Sequence, residues 1–156
     1  MTAYPALAAR INQELSDLRR SVERAALLMS KATDQGDADY LDGVALNLHA
    51  FYTGVEHIFE AIAREVDNSV PSGPEWHRDL LLQMSGGITD VRPPVLGDET
   101  RACLDAYRGF RHVVRNVYTY NLDASRVREL AVELPDCCAR VAADLAMFTG
   151  LLDTMR

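Results

Sequence analysis

An all-α fold is predicted by the spacing of the apolar residues. Leucine, isoleucine, valine and phenylalanine recur at steps of three and four residues through four long segments, which is the period of a helix with one buried face. No segment alternates apolar and polar residues as a half-buried β-strand does. We therefore predict an up-and-down bundle of four long helices plus a short central helix, joined mostly by short connections.

The first two long helices are separated by a short turn. The first is predicted over residues 5–32, and Pro5 is compatible with its first turn. Residues 33–37 combine Asp and Gly and favour a turn. The second helix is predicted over residues 40–66, because the apolar period continues through that whole segment.

The middle of the chain is less regular. Two prolines and a glycine within residues 67–74 end the second helix. Residues 75–84 are typical of a short helix, which stops before the pair Gly86 and Gly87. A loop then leads to the third long helix, predicted over residues 99–120.

The last long helix is predicted from Ser125 onward. Pro135 lies inside its apolar pattern, and a proline ring clashes with the carbonyl four residues earlier. We therefore expect a kink or a break at Pro135.

Length and charge limit the classes of protein. A chain of 156 residues, 48% of them hydrophobic, is long enough for one buried core, so we predict a single domain over residues 1–156. The formal net charge of −7 argues against a general nucleic-acid coat protein, although a local basic face stays possible.

Cysteines, metal ligands and membrane segments receive simple interpretations. Cys103, Cys137 and Cys138 lack disulfide or metal spacing and are expected to be small core residues in a reducing compartment. His57 with its neighbouring glutamates lacks the second Glu-x-x-His cluster of a bundle metal site, so we expect no metal and no cofactor. No run of eighteen apolar residues occurs, and we expect a cytoplasmic protein with no membrane contact.

Residues 110–120 concentrate positive charge in an acidic chain. On a helix, Arg108, Arg111, Arg115 and Tyr118 fall within one arc of roughly 80°, beside an apolar arc that would face the core. The arginine stripe is either a phosphate-binding surface or a solvated face that pairs with acidic residues.

This stretch resembles the HEPN superfamily, specifically the HepT-like proteins, which carry Arg, four residues, His, one residue and Tyr near a helix end. Here Arg111 and Tyr118 match that motif, and Asn116 stands where the His is expected. The resemblance extends to residues 51–59 and 71–81, and so covers most of the chain.

The resemblance implies a HEPN-like bundle that acts as a metal-independent endoribonuclease toxin on RNA. It also implies a homodimer with the two motif helices facing a shared cleft. The partner would be a nucleotidyltransferase antitoxin that neutralises the toxin by adding AMP to the motif tyrosine, Tyr118 here.

Asn116 puts catalysis in question, because an amide cannot carry a proton as an imidazole does. His112 lies one helical turn earlier, and we hypothesise that it replaces the missing His. Arg111, His112 and Asn116 are thus the candidate catalytic residues, with Arg108 and Arg115 as candidate RNA phosphate ligands. The alternative is that His112 is a solvated or hydrogen-bonded helix residue.

Two further clusters receive structural interpretations. Trp76 and His77 are predicted to anchor the core under the central loop, with a role at an RNA cleft as the alternative. Glu56 and Glu60 are expected to be exposed or paired with Arg64.

Three classes of function are therefore compatible with the sequence: a ribonuclease toxin, a non-catalytic HEPN-type dimeric module that binds a nucleotide, RNA or a nucleotidyltransferase, and an interaction protein unrelated to RNA.

Overall fold

The computed structural model describes residues 4–116 and 122–155, with the backbone alone at Arg115 and Asn116. Its described part is helical, as the sequence predicts. It contains α1 (Pro5–Gln35), α2 (Tyr40–Ile62), α3 (Trp76–Ser85), α4 (Asp98–Asn116) and α5 (Ala124–Leu152), and a π-helical turn (Ala63–Asp67) continues α2. Within these residues the one extended pairing is an isolated bridge between Ile88 and Arg92.

Four long helices and one short helix are thus confirmed, with some differences in their bounds. The first helix runs to Gln35 and ends where Gly36 adopts a left-handed conformation with φ of 61°. The expected break at Pro135 does not occur, because α5 continues through that residue. The predicted segment 117–120 of the third long helix lies outside the described residues.

The helices α1 and α2 approach each other closely along their length. A Cβ atom at Gly54 of α2 would lie 2.5 Å from a methyl carbon of Leu18 on α1, closer than real Cβ atoms come. Glycine at this position therefore lets the two helix backbones come together.

One hydrophobic core joins α2 to its neighbours. Phe51 of α2 meets Tyr107 of α4 edge to face, with ring centroids 5.4 Å apart. The Tyr107 hydroxyl donates a hydrogen bond of 2.8 Å to the Leu130 carbonyl on α5. Cys137 and Cys138 are buried in this core and Cys103 is partly buried, which confirms their predicted place.

A buried ion pair holds the long connection between α3 and α4. Arg92 donates to both carboxylate oxygens of Asp67, at 2.7 and 2.8 Å, and the side chains of both residues are 0% exposed. The same guanidinium donates to the carbonyls of Gln83, Gly86 and Pro93. Because Asp67 ends the π-helical turn, this ion pair fastens α3 and its connection to the end of α2.

No helix among the described residues has the length and apolar character needed to cross a membrane.

Candidate functional site

A cleft of about 490 Å³ opens between α4 and the beginning of α3. Most of its lining side chains are cationic or can become so. The lining residues are Pro74, Glu75, His77, Arg78, Arg108, Arg111 and His112. A local basic face therefore exists on a chain whose net charge is −7.

Arg111 lies at the base of this cleft and is held by three residues on two helices. Its side chain is only 14% exposed, with Nε at 3.5 Å from Oε1 of Glu56 and at 3.5 Å from the Thr53 hydroxyl, both on α2. Its Nη1 lies 3.3 Å from Nε2 of His77 on α3. A charged group fixed from two sides gives up little conformational freedom when it binds an anion.

Glu56 is the buried acid behind the cleft. The residue is 2% exposed, and its Oε2 lies 2.6 Å from Nδ1 of His77. The expectation that Glu56 is exposed or paired with Arg64 is therefore wrong. Glu56 lies one turn after Tyr52 and one turn before Phe59, inside the apolar arc of α2, so packing of α2 buries its carboxylate.

His77 connects Glu56 to the cleft. A carboxylate can only accept hydrogen bonds, so Nδ1 of His77 carries a hydrogen and donates a hydrogen bond to Glu56. In the neutral ring, Nε2 then presents a lone pair, to which the Arg111 guanidinium donates. Glu56 and Arg111 thus favour the same neutral tautomer of His77, in which Nδ1 carries the hydrogen and the basic Nε2 faces Arg111.

Trp76 and His77 match different interpretations made from the sequence, a core anchor for Trp76 and a place at the cleft for His77. Trp76 is partly buried and packs on the core, as expected of an anchor. His77 lines the cleft, and its side chain is 23% exposed. The two rings contact each other with centroids 3.6 Å apart and planes tilted by 32°, so the anchored indole packs against the imidazole.

Arg108 and His112 complete the α4 wall of the cleft. Arg108 lies about one turn before Arg111, and its Nε donates a hydrogen bond of 2.8 Å to Asp105. It therefore forms the acidic pairing expected of a solvated face and also lines the cleft, whereas phosphate binding by Arg108 stays a prediction. His112 is exposed at the same opening.

Three predicted site residues lie partly or wholly outside the described residues. The side chains of Arg115 and Asn116, and all of Tyr118, lie outside the described residues. Their proposed roles in phosphate binding, catalysis and modification stay predictions.

Tyr52, one turn before Glu56, is a buried phenol in the wall behind the cleft. Burial and the nearby Glu56 carboxylate raise the pKa of Tyr52 far above its ordinary value of 10.0. Its hydroxyl oxygen is buried and makes no hydrogen bond to any described residue. In such surroundings the Glu56 carboxylate interacts more strongly with Arg111 than it would in water.

No three His, Cys, Asp or Glu side chains of the described chain come together as metal ligands would.

The fold and the site define an all-helical protein with a cationic cleft against its motif helix. A family described as HepT-like protein matches residues 43–152, which include Glu56, His77 and Arg111. The chain therefore belongs to the HepT-like family, as the resemblance of residues 110–120 predicts. Neither a curated protein nor a solved structure matches the chain.

Proposed function

We propose that this protein is a HepT-type toxin that cleaves RNA without a metal at the cleft built around Arg111. The proposal rests on one observation: arginine and histidine side chains line the same cleft, and the buried carboxylate of Glu56 holds Arg111 in an ion pair there. Family membership supports the same class of activity.

The chemistry of RNA cleavage explains the composition of the cleft. The 2′-hydroxyl attacks the neighbouring phosphorus, so a base must take its proton and a cation must balance the charge that grows on the phosphate oxygens. Arg111 and Arg108 are suited to the second task, because a guanidinium can bind two phosphate oxygens at once. We propose Arg115 as a further phosphate ligand, on the basis of its place in the arginine stripe.

His112 and Asn116 are proposed to share the place of the motif histidine. His112 lines the cleft and carries an imidazole, the side chain most often used for proton transfer in catalysis. Asn116 can orient a phosphate oxygen through its amide. In this proposal Arg111, His112 and Asn116 act on the reacting phosphate.

The biological setting is proposed from the family. A homodimer would bring two motif helices to one cleft, and a nucleotidyltransferase partner would neutralise the toxin by adding AMP to Tyr118. An added AMP would place a bulky phosphate near the end of α4 and would compete with RNA phosphate for its arginines.

A second candidate function is a non-catalytic module that binds a nucleotide, RNA or a transferase. The replacement of the motif histidine by Asn116 favours it, because phosphate binding by Arg111 does not need a proton carrier.

Expression in bacteria without the partner tests the toxin. We expect wild-type chain to arrest growth and degrade RNA, and Arg111→Ala to restore growth, because the phosphate ligand at the base of the cleft is lost. Growth curves and electrophoresis of total RNA measure both effects. The matched control is Arg20→Ala, which removes an exposed arginine of α1 and should stay toxic.

Normal growth and intact RNA with well-expressed wild-type chain would reject the toxin and favour the binding module. Thermal denaturation of Arg111→Ala shows whether loss of toxicity reflects loss of folding.

Mass spectrometry of chain produced with a nucleotidyltransferase, compared with Tyr118→Phe, tests AMP addition. An equal mass gain in both would exclude Tyr118.

A further inference from the structure

We infer that His77 is the catalytic residue that takes the 2′-hydroxyl proton, and that Glu56 is the residue that positions it. This inference rests on the proposed ribonuclease function and assigns its proton acceptor. It adds a histidine of α3 to a site whose motif residues Arg111 and Asn116 lie on α4.

The contacts of His77 match those of a positioned general base. Glu56 accepts a hydrogen bond from Nδ1 at 2.6 Å, which leaves the lone pair on Nε2. In the free protein Arg111 donates to that lone pair, and in this assignment it turns from Nε2 to the phosphate when RNA binds. The buried carboxylate also stabilises the positive charge that the ring gains when Nε2 takes a proton. The ring therefore has a favoured tautomer, a packing contact with Trp76 and a partner for its protonated form.

The solvent accessibility of Glu56, His77 and Arg111 indicates which of them can contact RNA. Glu56 is 2% exposed and cannot reach a polymeric substrate, so it acts through its neighbours. The imidazole of His77 opens onto the cleft, and Nε2 lies 3.3 Å from the Arg111 guanidinium. A phosphate bound by Arg111 would therefore bring its adjacent ribose within reach of Nε2.

The reaction balances as follows. The 2′-hydroxyl proton passes to Nε2 of His77 while the bond from O2′ to phosphorus forms and the bond from phosphorus to O5′ breaks. The products are a 2′,3′-cyclic phosphate and a 5′-oxygen, which takes a proton from water. The resulting hydroxide removes the proton from His77 and restores the neutral ring.

Cleavage of a short synthetic RNA by purified protein across a range of pH tests this assignment. A positioned base contributes about 10²- to 10⁴-fold to rate, so His77→Gln should slow cleavage by at least about 100-fold. Wild-type rate should fall on the acid side, where the imidazole is protonated and cannot accept a proton. His77→Gln should lose this acid limb.

Three comparisons separate catalysis from support of the fold. His57→Gln changes an exposed histidine of α2 and should keep both the rate and the acid limb. Imidazole added to His77→Gly should restore part of the rate, more at pH values where free imidazole is neutral. Glu56→Gln should slow cleavage, because its amide can donate to Nδ1 and reverse the tautomer.

The outcomes distinguish the two proposals. If wild-type protein cleaves RNA and His77→Gln cleaves equally with the same acid limb, the role of His77 is refuted while the ribonuclease stands. Loss of the acid limb in His112→Gln instead of His77→Gln would assign the base to α4 and refute it as well. A folded wild-type protein that leaves RNA intact would overturn both proposals.

Discussion

At the scale of single residues, the buried carboxylate of Glu56 has the greatest consequence for the site. A charge removed from water is costly unless charged or hydrogen-bonding partners surround it. Arg111 and His77 are those partners, at 3.5 and 2.6 Å. Glu56, which the sequence pattern placed on the surface, therefore orients Arg111 and His77, the two groups that we propose contact RNA.

Two buried tyrosines provide a matched test of hydrogen bonding in the core. The Tyr107 hydroxyl donates to Leu130, whereas the Tyr52 hydroxyl has no partner among the described residues. We expect Tyr107→Phe to lower the free energy of unfolding by about 1 kcal/mol. Tyr52→Phe should leave it unchanged or raise it, because an unpaired buried hydroxyl costs about 1–3 kcal/mol. Urea denaturation measures both, and equal losses would contradict the assignment.

Alkaline pH adds a second readout for the same two variants. Burial raises the pKa of Tyr52 and of Tyr107 above the ordinary value of 10.0. The unfolded chain therefore releases these protons first, and stability is lost as pH rises above that ordinary value. Each Phe variant should lose less stability than wild type between about pH 9 and about pH 11.

At the scale of elements, Arg92 and Asp67 determine where α3 is held. Their ion pair is wholly buried, and the guanidinium also binds three carbonyls around the end of α3. Since α3 begins with Trp76 and His77, the connection that follows α3 helps to keep His77 at the cleft.

Removal of one partner of this ion pair should be costly. Among the described residues, Arg92→Met leaves the buried Asp67 charge with only the Gln83 amide to bind it. We expect a loss of about 3–5 kcal/mol in the free energy of unfolding. Chemical denaturation measures the loss. The control is Arg126→Met, which breaks an exposed ion pair with Glu129 and should cost less than about 1 kcal/mol. Equal effects of the two changes would show that the buried ion pair does not hold the fold.

At the scale of the whole molecule, the proposed homodimer places α4 of two chains face to face. Val113 of α4 is 44% exposed and follows His112, which lines the cleft. An interface between motif helices would cover such an apolar side chain, and a charge placed there would be buried without a partner.

A matched pair of valines tests the dimer. Val113→Glu should shift the protein toward monomer at micromolar concentration, whereas Val132→Glu, at a valine of α5 that is 76% exposed, should leave the dimer intact. Light scattering over a range of protein concentrations measures both. A monomeric wild-type protein, or a Val113→Glu dimer of unchanged strength, would argue against α4 as the interface.

The sequence by itself determined the helices and the family. Apolar period and turn residues depend on neighbours within a few positions, so the four long helices and the short helix could be identified from local pattern. The resemblance of residues 110–120 indicated the family. Of the two outcomes expected at Pro135, the break does not occur, since α5 continues through that residue despite the missing donor.

Only the tertiary structure decided what surrounds Arg111. Glu56 precedes His77 by 21 residues and Arg111 follows His77 by 34, so no helical period relates the three. One signal was present, because Glu56 interrupts an apolar arc of α2, the position at which a buried polar group has a partner. The identity of that partner depends on how α2, α3 and α4 pack together, since side chains from separate helices meet only when the core between them is formed.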